Sequence, residues 1–180
     1  MKPTKFTTKS GEEITIRLAT EDDASALLAM KLEYLENTKT IPLYKDEYPT
    51  ILTFEIQLIK RLEEEKNSVL FVAESNNELI GNIDLNGNQR LKLFHTSVIG
   101  MGIRAEWRGK GVGSALLNVA LQWSISNPFI TLLWLEVYDT NEAGKNLYKK
   151  MGFKECGRIN DFFCEDNVFI DKITMTKRIK

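Results

Sequence analysis

The stretch Ser97-Val98-Ile99-Gly100-Met101-Gly102-Ile103-Arg104-Ala105-Glu106-Trp107-Arg108-Gly109-Lys110-Gly111-Val112-Gly113-Ser114-Ala115-Leu116-Leu117 decides the fold. It begins as an apolar run with β-branched residues, the pattern of a buried strand. Around Arg108 that period breaks into glycines. From Val112 apolar residues return at helical spacing, through Leu116, Val119, Ala120 and Trp123. The unit reads as strand, basic glycine loop, helix. Gly109, Gly111 and Gly113 leave no Cβ in the way of a ligand approaching the backbone. The unpaired N–H groups of a helix start face an anion there, and the helix dipole favours negative charge. Arg108 and Lys110 add positive charge, so the loop is a phosphate cradle.

Two better-known phosphate loops do not fit. A Walker loop needs Lys followed by Ser or Thr after its last glycine, and here Gly113 is followed by Ser114-Ala115. A dinucleotide fingerprint needs its own glycine spacing and an acidic residue about 20 residues further on. The residues Arg108-Gly109-Lys110-Gly111-Val112-Gly113 have the form Arg-x-x-Gly-x-Gly instead. That form resembles the pyrophosphate loop of the GNAT N-acetyltransferase superfamily, which binds acetyl-coenzyme A.

Composition bounds the rest. The chain has 180 residues, 43% hydrophobic and 27% charged, which suits one soluble domain with a sizeable core. Lys and Arg number 24 against 25 Asp and Glu, so a net charge of -1 supplies no field for nucleic acid or an anionic membrane. No apolar run approaches the roughly 18 residues needed to span a bilayer. Met1-Lys2-Pro3-Thr4-Lys5 has no apolar core behind it and does not read as a signal peptide. Two cysteines, Cys156 and Cys164, and one histidine make neither a disulfide framework nor a metal site. The expectation is a cytoplasmic protein in a reducing compartment, with no metal.

Ile14-Thr15-Ile16-Arg17-Leu18 alternates as a first strand, and Thr20-Glu21-Asp22-Asp23 opens a helix running to about Glu33. Tyr34 to Thr50, with Pro42 and Pro49, reads as a loop. A second helix follows over Ile51 to Lys66 with Phe54, Leu58, Ile59 and Leu62 inward. Ser68–Glu74 and Leu79–Leu85 form a hairpin across Ser75-Asn76-Asn77-Glu78. Leu91 to Arg104 supplies the strand that enters the glycine loop. Asn127-Pro128 ends the long helix, and Thr131–Val137 is a strand whose only acid is Glu136. A helix over Asn141 to Met151 stops at Gly152, and two strands, Phe153–Asn160 and Val168–Lys177, close the chain. These elements predict an α/β (α+β) fold, one mixed sheet of about seven strands with about four helices, in a single domain over 1–180 with its core from about 14 to 177.

A second motif strengthens the resemblance. Leu135-Glu136-Val137-Tyr138-Asp139-Thr140-Asn141, then Leu147-Tyr148 and Gly152-Phe153, looks like the C-terminal half of the same superfamily's signature. The likeness runs from about Ile14 to Thr176. It implies a GNAT-like domain using acetyl-coenzyme A as co-substrate, with direct attack of a primary amine on the thioester. It places pantetheine on the backbone of Met101, Gly102 and Ile103, and the pyrophosphate on Gly109, Lys110, Gly111, Val112, Gly113 and Ser114, beside Arg108. Asn141 matches a coenzyme-contacting asparagine and also suits a helix N-cap. Tyr148 matches the tyrosine that protonates the departing thiolate.

The general base stays open between two residues. Glu136 stands alone in a strand destined for the interior, where an unpartnered carboxylate is costly. His95, the one histidine, has the ordinary pKa for taking an ammonium proton. Gly81-Asn82-Ile83-Asp84-Leu85 is similar to a small-amine branch that often carries His-Thr-Gly-Glu downstream; Ser97 and Val98 depart from that pattern and remove the acid.

The resemblance implies an acceptor that is a small-molecule amine, an amino acid or a peptide N-terminus. It would be gripped by the loop at 34–50 and the closing hairpin at 158–167. Glu33, Glu36, Asp46, Glu47, Asp161, Glu165 and Asp166 supply acid in and beside those segments, suited to a cation. Monomer and homodimer both fit. Two other readings share the glycine loop: an acyl-coenzyme A sensor without turnover, and a nucleotide-phosphate-binding regulator, which leaves Asn141 and Tyr148 unexplained.

Overall fold

The computed structural model describes residues 1–180. Its elements run β1 (Thr4–Thr7), β2 (Glu13–Leu18), α1 (Ala24–Glu36), α2 (Leu52–Glu64), β3 (Val69–Ser75), β4 (Glu78–Gly87), β5 (Thr96–Ile103), α3 (Val112–Ser126), β6 (Leu132–Tyr138), α4 (Glu142–Lys150), β7 (Lys154–Glu165) and β8 (Val168–Arg178). The strands form one mixed sheet in the order β1-β2-β3-β4-β5-β6-β8-β7. Seven were expected; the eighth is β1, which pairs antiparallel with β2 from Thr4 opposite Ile16 to Thr7 opposite Glu13. Ordered pairing therefore starts ten residues before the expected core.

Local chemistry sets the turns. Asn76 and Asn77 both take positive φ, 49° and 63°, and make the two-residue turn that joins β3 to β4. Asp166 and Asn167 repeat this between β7 and β8, at 51° and 64°. Gly152, at φ 84°, stops α4. Helix α1 runs to Glu36, three residues past the expectation, and takes Tyr34 and Leu35 out of the loop and into the core. In α2 the inward face differs as well. Glu55 is fully buried, whereas Phe54 is 40% exposed.

Period-2 alternation divides the sheet between two cores. Phe71, Ile83, Leu85 and Ile99 pack with Leu116, Leu117 and Ala120 of α3 on one face. Leu70 and Val72 pack with Leu27 and Met30 of α1 and Ile59 and Leu62 of α2 on the other. No helix is long and apolar enough to cross a membrane.

One feature of the sheet opens the site. Strands β5 and β6 are its only parallel neighbours, and they pair over three positions alone: Thr96 with Leu132, Ser97 with Leu133 and Val98 with Trp134. Past Val98 they diverge. β5 continues on β4 to Ile103, and β6 continues on β8 to Tyr138.

Candidate functional site

The divergence leaves backbone groups of β5 facing a cleft. Arg104 N–H donates to Ile80 C=O at 3.0 Å, which fixes the alternation of the β4–β5 ladder. Gly102, Gly100 and Val98 then point their N–H and C=O groups at β4, while Ile99, Met101 and Ile103 point theirs toward the β6 side. Of the three expected pantetheine positions, Met101 and Ile103 face the cleft. Gly102 lines the cavity too, but its N–H and C=O are spent on β4, and it contributes through its missing side chain.

The glycine loop continues this edge. Gly109 and Gly111 have φ of 76° and 98°, values that a side chain would strain, and Gly111 is the N-cap of α3. No N–H from Gly109 to Ser114 donates to a backbone acceptor, since the first turn of a helix has none to offer. Six consecutive donors, those of Val112 and Gly113 among them, are available at the positive end of a 15-residue helix.

The cations beside the loop are arranged differently from the sequence expectation. Lys110 turns away: its Nζ pairs with Glu12 at 2.8 Å and lies 4.7 Å from the Trp107 ring centroid. It does not line the cleft. Lys9 does, from the turn between β1 and β2, held by its N–H donating to Lys110 C=O at 2.9 Å. The sequence offered no signal for Lys9, because its place depends on β1 folding back. Arg108 lines the cleft while its guanidinium donates to Ile103 C=O at 3.1 Å and Asn37 C=O at 2.9 Å, tying the loop to the end of α1.

A continuous cavity of 1040 Å³ runs from this loop through the β5–β6 divergence to the space under α1 and α2. Asn141 and Tyr148 line it. Asn141 caps α4, its Oδ1 accepting from Gly144 N–H at 2.9 Å. Its amide nitrogen has no protein acceptor. Tyr148 is 9% exposed and packs edge-on against Phe153. Burial pushes its phenol up to about 12, so it is protonated at any physiological pH.

The two candidate bases separate. His95 is exposed at the start of β5, its C=O accepting from Thr131 and Leu132, and lies outside the cavity. Glu136 lines the cavity, yet it is 38% exposed at its side chain and accepts from Lys172 Nζ at 2.8 Å. The expected burial of Glu136 does not occur, because its side chain emerges where β6 has lost its β5 neighbour. Three of the seven acids in and beside the loops are engaged in ion pairs: Glu33 with Arg104, Glu36 with Lys45, Asp166 with Lys39. Residues 37–43 line the cavity as expected, whereas the closing hairpin lines a separate hollow of 250 Å³.

The cavity's acid without an ion-pair partner is Asp84. Asn82, Asp84 and Asn86 occupy one face of β4, opposite Gly102, Gly100 and Val98 of β5, and this strip forms the cavity wall under α1 and α2. A Cβ on Gly100 would stand 2.7 Å from Asp84 Oδ1. Asp84 accepts no side-chain hydrogen bond, and burial pushes its carboxyl up to about 6, partly opposed by Lys31 and Arg61. The sequence did carry a signal, the polar alternation Asn82-Asp84-Asn86, but alternation of that kind ordinarily marks a solvent face.

Residues 26–153 match the model of the acetyltransferase (GNAT) family. An N-alpha-acetyltransferase of Sulfurisphaera tokodaii is 27% identical over 165 residues, 87% of this chain and 90% of that one. Among solved structures, an acetyltransferase of the GNAT family from Streptococcus pneumoniae superposes with a TM-score of 0.89 at 25% identity, over 93% of this chain and 99% of that one. A GNAT superfamily phosphinothricin acetyltransferase from Sinorhizobium meliloti, solved with acetyl-CoA, has the same fold at a TM-score of 0.81 and 17% identity, covering 92% and 88%.

Proposed function

The chain belongs to the GNAT family of acetyltransferases, and from that premise we propose that it transfers the acetyl group of acetyl-CoA to a primary amine by direct attack in a ternary complex. The observation that carries this reading is the meeting of two features in one cavity: an unpaired β5 edge leading into six free loop N–H groups, and a carboxylate without an ion-pair partner on the strand beside it. The loop donors of Gly109 to Ser114 suit a pyrophosphate, with Arg108 and Lys9 as the nearby cations. The free edge at Met101 and Ile103 suits pantetheine, which would pair as an added strand. A Met101 N–H aimed into the divergence suits the thioester oxygen as negative charge develops there.

The acceptor arrives as an ammonium and must lose one proton before its lone pair can attack. Asp84 is the base in this reading. It is the cavity carboxylate without an ion-pair partner, whereas Lys172 competes for Glu136 and His95 stands elsewhere. The amine nitrogen bonds to the carbonyl carbon, the carbon–sulfur bond breaks, and the sulfur leaves with the electron pair. A second proton from the nitrogen ends on sulfur, giving amide, free thiol and one proton released through Asp84. Burial raises the Tyr148 phenol and disfavours its phenolate, so it keeps its own proton. Tyr148 therefore serves as a hydrogen-bond donor to the departing sulfur, and the nitrogen supplies the proton.

Calorimetric titration with acetyl-CoA, followed by thiol release in the presence of primary amines, tests the proposal. Micromolar binding with amine-dependent thiol release is expected. Binding without release for any amine would make the chain an acyl-CoA sensor, and absence of binding would remove the phosphate assignment.

A further inference from the structure

The part of the cavity under α1 and α2 has a composition of its own. Three polar groups there have hydrogen-bonding capacity that no other side chain uses. Asn82 is 2% exposed and its Oδ1 is buried without a donor, the Asp84 carboxylate accepts no side-chain hydrogen bond, and the Tyr34 hydroxyl is unpaired. Register sets them close together. Asn82 and Asp84 lie two positions apart on one face of β4, and a Cβ on Gly102 would stand 2.7 Å from Tyr34 Oη, just as one on Gly100 would meet Asp84. Same-face neighbours on a strand are roughly 6.6 Å apart, which lets one small group touch all three. A buried amide oxygen without a donor costs about 1–3 kcal/mol, a cost that a ligand N–H relieves.

Lys31, the cation nearest to this cluster, is neutralised. Its Nζ donates to Glu55, whose side chain is fully buried, and to Tyr48 Oη at 2.9 Å, while Tyr48 donates to Glu55 at 2.7 Å. Arg104 and Arg61 are likewise taken, by Glu33 and Glu65. The compartment thus has a net charge of -1, from Asp84. Its remaining walls include Phe54, Leu58, Leu62 and Leu70.

Resting on the acetyltransferase reading above, we infer that the acceptor is a primary amine on an apolar body with no carboxylate beside the nitrogen, seated with its ammonium on Asn82, Asp84 and Tyr34 and its body against the leucines of α2. An amino acid would bring its α-carboxylate next to Asp84, where it finds like charge and no free cation. Two unpaired carboxylates in one dry site repel. Apolar walls also help the chemistry, because they desolvate the ammonium and bring its pKa down toward that of its base.

The test uses matched pairs that differ only in the carboxylate: 2-phenylethylamine against L-phenylalanine, and 3-methylbutylamine against L-leucine, each followed by thiol release from acetyl-CoA. The amine of each pair is expected to have at least tenfold higher kcat/KM. In Leu58→Ala the KM for 3-methylbutylamine should rise at least threefold while the KM for acetyl-CoA holds. Glu55→Gln frees the Lys31 charge and should narrow the amine-to-amino-acid ratio, and the wild-type comparison stands even if that variant does not fold. Equal or better turnover of the amino acids, or binding of acetyl-CoA with no turnover of either amine, overturns the inference. Failure to bind acetyl-CoA at all, read by calorimetry, identifies a failure of the underlying reading instead.

Discussion

The ring of Tyr34 lies so close over Gly102 that a Cβ on the glycine would stand 2.2 Å from Tyr34 Cζ. One glycine on β5 therefore lets a helix residue reach the wall of the cavity. Gly102→Ala should force the ring aside at a cost of about 1–3 kcal/mol, the usual range for overpacking. Two residues in direct contact couple, so the double variant with Tyr34→Ala should lose less stability than the two single losses added together. Additive losses in a chemical-denaturation cycle would show that the contact is not the reason for the glycine.

Asp84 should reveal itself by a gain in stability. Its carboxyl stands near 6 in the folded state against an ordinary 3.8, so the folded protein binds more protons than the unfolded chain between those values. Stability from this group is then intact below about pH 4 and falls as the pH rises to 6. Asp84→Asn removes the ionised form and should stabilise the protein by about 1–3 kcal/mol at pH 7, with no gain at pH 4. The same variant should lose the acidic limb of the rate profile near pH 6, together with most of kcat. A variant that is less stable at pH 7 yet fully active would remove Asp84 from the mechanism.

The two lysines at the phosphate loop should have opposite effects. Lys9→Ala removes a cation from the cavity, and loss of about 1 kcal/mol of contact would raise the KM for acetyl-CoA roughly fivefold. Lys110→Ala breaks the pair with Glu12 that docks the β1–β2 turn. It should lower Tm with a smaller change in KM. The reverse ranking in steady-state kinetics would return Lys110 to the phosphate.

Residue types at fixed spacing carried the glycine loop, the strand that enters it and the Asn141–Tyr148 helix, because local rules govern each of them. What escaped the sequence depends on register between distant segments. Asn82 and Asp84 face inward only because α1 and α2 cover that side of β4, and Lys9 reaches the loop only because β1 pairs with β2. Glu136 misled for the same reason: its strand is buried, but the parallel neighbour that would cover it ends at Val98. His95 had suitable chemistry and an unsuitable place, six residues before the edge that matters.

Tyr148→Phe distinguishes turnover from mere binding. The change deletes one hydroxyl and almost no volume, so α4 should keep its packing on Phe153 and its Tm. Coenzyme affinity should hold, since the loop N–H groups and the β5 edge lie on other elements. Stabilisation of the departing sulfur should be lost, lowering kcat by roughly 10²-fold or more with KM little changed, as for an interaction made only in the transition state. The phenol is raised by burial alone, so no basic limb from its titration should appear below about pH 12 in the wild-type profile. Full activity of Tyr148→Phe with a turned-over amine would leave the sulfur to be protonated without the phenol's help. A parallel fall in Tm and affinity would make the tyrosine a packing residue.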